Sequence, residues 1–160
     1  MKLALLFALA LTASTAHAAG NHSVRVQADR IGDAIELKGA GVFDTVGNFI
    51  ALNGQFHVSR DIPAGPLGGL RANDFGRWKA TEILQSSGFK CAGPDAVKTV
   101  NGDDDTVVFQ ADFFRQGDGD HASFSAKVFI SSQDEDLETP GIQNVWIQGV
   151  GCDQAVIDLN

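Results

Sequence analysis

Two stretches of this chain alternate so regularly between apolar and polar residues that they constrain the backbone to extended strands with one dry face. Ala122, Phe124, Ala126, Val128 and Ile130 take every second position, with Ser123, Ser125, Lys127 and Phe129 between them. Successive side chains of an extended chain point to opposite sides, so a period of two is a strand signature. Just upstream, Val107, Phe109, Ala111 and Phe113 share one face, while Thr106, Gln110 and Asp112 take the other. The linker Arg115–His121 (RQGDGDH) is rich in turn formers, so the pair predicts an antiparallel hairpin.

The same period recurs along the chain. Val24, Val26 and Ala28 alternate with polar neighbours, as do Ile35 and Leu37. Ile50, Leu52, Gly54, Phe56 and Val58 line one face of a longer run, and Trp78 and Ala80 oppose Arg77, Lys79 and Thr81. Phe89 shares a face with Cys91; Val145 with Ile147; and Ala155 with Ile157 and Leu159. No long stretch keeps a helical period, although Thr81–Ser87 and Pro94–Val100 each have room for one helical turn. This predicts an all-β chain of about eight to nine short strands, folded as a single antiparallel β-barrel or β-sandwich. Strand lengths suit a small barrel. An immunoglobulin-type sandwich fits less well, because neither Trp78 nor Trp146 sits where its Cys–Trp–Cys order needs it.

The first residues read differently. Lys2, the apolar run Leu3–Leu11 and the small-x-small site Ala16-His17-Ala18 predict a signal peptide over residues 1–18. That run is too short for a permanent bilayer span. Residues 19–160 then form the single all-β domain, and no later stretch is long and apolar enough to be an integral membrane segment. The expected location is secreted or periplasmic. Formal net charge is −8 and becomes −9 once Lys2 leaves. Such a surface repels phosphate backbones and anionic lipid, which argues against nucleic acid as a partner.

Export settles the reading of the cysteines. Cys91 and Cys152 are the only two, and an even count in an oxidising compartment predicts one disulfide bond between them. Their wide spacing lacks the CxxC pattern of redox or zinc sites.

Three segments interrupt the alternation. Asp61–Asp74 carries Pro63 and Pro66 with Gly65, Gly68 and Gly69, a long irregular loop of the kind that often serves function. Its Leu67 and Leu70 are placed either to cap an open end of the sheet, gating a cavity, or to pack a plain crossover onto the core. Acidic turns at Asp103–Asp105, Asp118–Asp120 and Asp134–Asp136 offer carboxylates suited to calcium. They lack calcium-loop spacing, and solvated turns explain them equally well, so no metal and no cofactor is expected. His57 and His121 complete the set. A His121 pair with Asp118 or Asp120 is a conceivable acid–base unit, but no serine elbow accompanies it.

Trp146 stands opposite Val145 and Ile147, flanked by Asn144 and Gln148; if those aliphatics point inward, its ring is partly exposed as a contact patch. Tyrosine is absent, which weakens the case for a large recognition surface.

The stretches TVVFQADFF (106–114), RQGDGDHASFSAKVF (115–129) and PGIQNVWIQGVGC (140–152) resemble a group of small exported bacterial proteins of uncharacterised function. The resemblance covers the C-terminal half. It implies a bacterial, exported, disulfide-bonded β-domain and transfers no functional residue.

Two functional expectations follow. The first is a non-enzymatic exported β-domain that binds a small apolar ligand or a protein or surface partner. A chamber for such a ligand would be lined by inward residues such as Phe56, Phe109, Phe124 and Val128, which otherwise fill the core. The alternative is a barrel-type enzyme with a His/Asp pair at one open end.

Overall fold

The computed structural model describes residues 21–160, and every regular element in that range is a strand. The expected signal peptide lies outside the described residues. The strands are β1 (His22–Ile31), β2 (Ile35–Asp44), β3 (Phe49–Val58), β4 (Phe75–Leu84), β5 (Ser86–Phe89) and β6 (Lys98–Asn101). They continue with β7 (Thr106–Arg115), β8 (Phe124–Ser131), β9 (Val145–Ile147), β10 (Gly151–Asp153) and β11 (Ala155–Leu159). The two segments with room for a helical turn are instead the end of β4 leading into β5, and a bend leading into β6.

Nine strands make one antiparallel sheet in the order β10-β9-β8-β7-β4-β3-β2-β1-β11. Strands adjacent in sequence pair, with two exceptions: β5 and β6 leave between β4 and β7 as a separate two-stranded ribbon, and β11 pairs with β1 instead of β10. The two ends of the order are consecutive in the chain. β10 pairs with β9, the strand is interrupted at Gln154, and β11 continues down β1, with Val26 opposite Ile157. The last strand therefore wraps the sheet almost shut, into a barrel. Gly32 N donates to Cys152 O (3.1 Å) and Arg30 N to Asp153 Oδ2 (2.8 Å) across the seam. Buried Asn144 closes the other side, its N donating to Asp153 O while its Oδ1 accepts from Ala155 N. This near-closure leaves little exposed edge of the kind that invites aggregation.

The interior is aromatic and aliphatic. Trp78 stacks on Phe109 with centroids 5.8 Å apart, and Phe56 meets Phe113 edge-on at 5.5 Å. Gly39 and Gly54, paired across β2 and β3, leave the slot that Trp78 fills; a Cβ at Gly39 would overlap the indole. One end is sealed by the loop between β3 and β4. Ile62, Leu67 and Leu70 are buried there among the core side chains, and Ile62 N–Leu70 O and Gly69 N–Ile62 O hydrogen bonds knit the loop to itself.

A second, smaller core lies outside the barrel. Val108, Phe129 and Trp146 form one transverse row on the outer face of β7, β8 and β9, and the ribbon brings Phe89 and Val100 down onto them. Phe89 packs edge-on against Phe129 (5.0 Å) and Trp146 (6.2 Å). The Cys91–Cys152 disulfide ties the end of this ribbon to β10.

Two carboxylates hold loops at opposite ends. Asp118 accepts from Ser123 Oγ (2.6 Å) and Arg115 Nε (3.0 Å), which hold its carboxyl below the ordinary range. Burial would raise Asp136, but the hydrogen bonds from Lys98 and Thr139 outweigh it and keep this group low as well. A carboxylate depressed in the folded state stabilises that state above its unfolded value, and the contribution is lost as pH falls through the folded one. Stability is therefore expected to decline once pH drops below the ordinary aspartate value of 3.8. Urea midpoints from about pH 5 down to about pH 2 should show it, with a flatter acid limb in Asp136→Asn.

Candidate functional site

The residues singled out in the sequence separate in space. Cys91 and Cys152 are bonded. Phe56 and Phe109 belong to the barrel interior, and Phe124 is half-buried at its loop-sealed end, near Gly69. Leu67 and Leu70 are wholly buried at that same end. Trp146 requires a correction. Val145 and Ile147 do point into the barrel, but the ribbon covers the opposite face, leaving Trp146 only 4% exposed, with its indole N–H donated to Lys90 O (3.2 Å). An outward register does not make a free surface when a second layer lies above it.

Among the described residues two phenylalanine rings are exposed, Phe49 at the start of β3 and Phe75 beside a groove. On the outer face of β2, β3, β4 and β7, Phe75 is 49% exposed at the start of β4. It borders a groove of 870 Å³ walled on one side by the β7–β8 loop. Strand register builds the floor in two rows. Glu36 stands opposite His57 and His57 opposite Phe75. In the next row Lys38 faces Gln55, Gln55 faces Arg77, and Arg77 faces Phe114. Gly76 allows β4 and β7 to approach closely beneath the groove, since a Cβ there would overlap Phe114 O.

The charges in the groove are arranged in pairs. Lys38 meets Glu36, whose hydrogen bond raises the lysine pKa. The Arg77 guanidinium lies 4.2 Å above the Phe114 ring and reaches Asp120 Oδ1 at 3.0 Å. Arg115 is fixed by Asp118, with Asp74 at 3.7 Å behind it. His57 is exposed in the groove, whereas His121 is exposed on the loop. Among the described residues the histidine within ion-pair distance of a carboxylate is His22, with Asp104 at 3.2 Å. Asp118 and Asp120, the carboxylates nearest His121 in sequence, are taken by arginines.

The acidic turns use their carboxylates locally. Asp103 Oδ1 accepts from Asp105 N, Asp134 Oδ1 from Asp136 N, and Asp105 Oδ2 from Gln133 Nε2. Among the described residues no group of three or more His, Cys, Asp or Glu is gathered as a metal site. A second hollow of 320 Å³ lies beside the disulfide, between the Gly88–Gly93 segment and the Gln148–Gly151 turn, with Trp146 at its base.

The groove was not legible in the sequence. Its members come from four strands and a loop, and individually Gln55, Phe75 and Arg77 look like ordinary outward positions. The one available cue was Phe75, Phe114 and Arg77 sharing outward parity on adjacent strands, which requires the β4–β7 pairing across the excluded ribbon. No protein-family model matches this chain, and no curated protein or solved structure is significantly similar to it.

Proposed function

We propose that the protein is an exported, non-enzymatic recognition domain that engages its ligand or surface partner in the outer groove, with the barrel interior serving as a rigid packed support. The carrying observation is the half-exposed Phe75 set beside planar polar side chains in a concave floor. A small number of oriented polar groups around an apolar contact is the usual composition of a binding site. The stacked interior aromatics support the same division of labour, since Trp78, Phe109 and Phe113 occupy the space that an internal ligand would need. The paired cysteines are compatible with placing the domain outside the cytoplasm.

Two-dimensional NMR with a mixed set of small aromatic, sugar and carboxylate fragments tests the reading. Shifts should cluster at Phe75, Arg77 and Gln55. Phe75→Ala should weaken the best binder by about tenfold. Because Phe75 lies on the surface, the unfolding free energy of this variant should stay within about 0.5 kcal/mol of the parent. Shifts concentrated instead on the Trp78 indole and Phe109 would favour an internal carrier and reject the groove.

A further inference from the structure

We infer that the groove takes a carboxylate-bearing saccharide, with Arg77 as the anchor for its carboxylate and Asp120 holding that position in the free protein. This rests on the groove reading above and adds the ligand class.

Arg77 is held on two sides. Its guanidinium is oriented from below by the Phe114 ring at 4.2 Å and touched from the side by Asp120 at 3.0 Å. A guanidinium carries five N–H donors in a rigid fork suited to bidentate carboxylates. The hydrogen bond to Asp120 uses one, through Nη2. The Asp120 side chain is fully exposed, at 100%. Ion pairs this exposed contribute little net stability, so exchange for another carboxylate is inexpensive.

The loop is built to allow that exchange at its tip alone. Asp118, at the base, is clamped by Arg115 and Ser123. Gly117 and Gly119 have φ of 98° and 76°, and a Cβ at either would meet nothing within 4 Å. Asp120 therefore stands on a tip without packing contacts, next to a fixed base. Its carboxylate occupies the place where a ligand anion would bind.

Charge and backbone decide between ligand classes. The chain carries a net charge of −8, yet the charged lining of the groove is Lys38, Arg77 and Arg115 against Glu36 and Asp120. Lys38 and Arg115 are paired with Glu36 and Asp118, whereas the partner of Arg77 sits on the unpacked tip, so a ligand that displaces Asp120 from Arg77 must bring its own carboxylate. An extended peptide would seek main-chain hydrogen bonds at a free strand edge. The floor strands β2, β3 and β4 are paired on both sides, and so is β7, leaving recognition to side chains. A pyranose has an apolar ring face bordered by hydroxyls. Phe75 suits the face, and Gln55, His57 and Gln116 suit the border.

Isothermal titration of the mature protein with a short oligogalacturonate and with its fully methyl-esterified form tests the inference. The acid should bind at least roughly tenfold more tightly than the ester. Arg77→Gln should bring the acid down to the affinity of the ester, and Arg77→Lys, which keeps charge but loses the planar fork, should fall between. Asp120→Asn, by removing the internal competitor, should tighten the acid by about threefold or more and leave the ester unchanged. Equal binding of acid and ester, or weaker acid binding in Asp120→Asn, would overturn the carboxylate inference while leaving the groove intact. Acid binding that survives Phe75→Ala unchanged would reject the groove itself. No binding of either sugar would overturn the saccharide class, and the fragment shifts would then decide the groove independently.

Discussion

Trp78→Ala is expected to remove most of the stability of the barrel. The side chain is 1% exposed and lies across the strand pair β2–β3, directly opposite Gly54. Truncating a buried aromatic to alanine costs about 3–5 kcal/mol, more where surrounding groups cannot collapse into the space. Here they cannot. The floor of the slot is Gly39 and Gly54, which have no side chains to move in, and the roof is the Phe109 ring, already fully buried. The indole N–H also donates to Lys38 O at 3.0 Å, so truncation leaves a partly buried carbonyl without that donor, at about 1 kcal/mol more. Domains of this size are stable by about 5–15 kcal/mol, so the variant should be marginal or unfolded at room temperature. Urea denaturation followed by circular dichroism will measure it. Gly39→Val should do comparable damage from the other side, because its Cβ would overlap the indole and lie 2.8 Å from Asn53 O. If Trp78→Ala lost under about 1 kcal/mol, the interior would have to be loosely packed, and an internal ligand chamber would regain its claim.

Breaking the disulfide is expected to have the second largest effect, and one that is local before it is global. The bond closes a span of 61 residues, for which chain-entropy arguments give about 4 kcal/mol. That span runs from the ribbon through β6, β7 and β8 to the seam strand β10. Without the bond, the ribbon is held by the small outer core of Phe89, Val100, Val108, Phe129 and Trp146, together with the Lys98–Asp136 ion pair. Those contacts are few, so the ribbon should open at denaturant concentrations that leave the barrel folded. The double variant Cys91→Ser/Cys152→Ser should then show two transitions. Trp146 fluorescence would shift red in the first, and Trp78, inside the barrel, would report the second. A single transition common to both tryptophans would mean that ribbon and barrel form one cooperative unit.

Much of the architecture could be read from residue order. The runs ending in Phe113 and beginning near Phe124 do form the β7–β8 hairpin, with Phe113 opposite Phe124. Ala155, Ile157 and Leu159 do turn toward the core, and the two cysteines are joined. Where the reading failed, a signal was present but pointed two ways. Val107-Val108-Phe109, Val128-Phe129-Ile130 and Val145-Trp146-Ile147 each break the alternation with an unbroken apolar triplet. An apolar residue at outward parity marks a strand covered on both faces. The middle members of the three triplets fall in one row once the strands pair, and that row is the seat of the ribbon. Taken singly, each looks like an isolated exposed hydrophobe; taken together, they predict a second layer. The same blindness hid the groove, since Arg77 and Phe114 are 37 positions apart in sequence and become neighbours only through β4–β7 pairing.

The amino-acid order alone determined the strands, the face each one buries and the cysteine link, because side-chain alternation is a local property of an extended backbone and two thiols have only each other. Tertiary structure decided whether the sheet closed, which outward residues were covered, and where an aromatic ring remained open beside opposed charges. Those outcomes depend on pairing between distant segments. A one-residue change of register would exchange every inward and outward side chain without altering the sequence pattern itself.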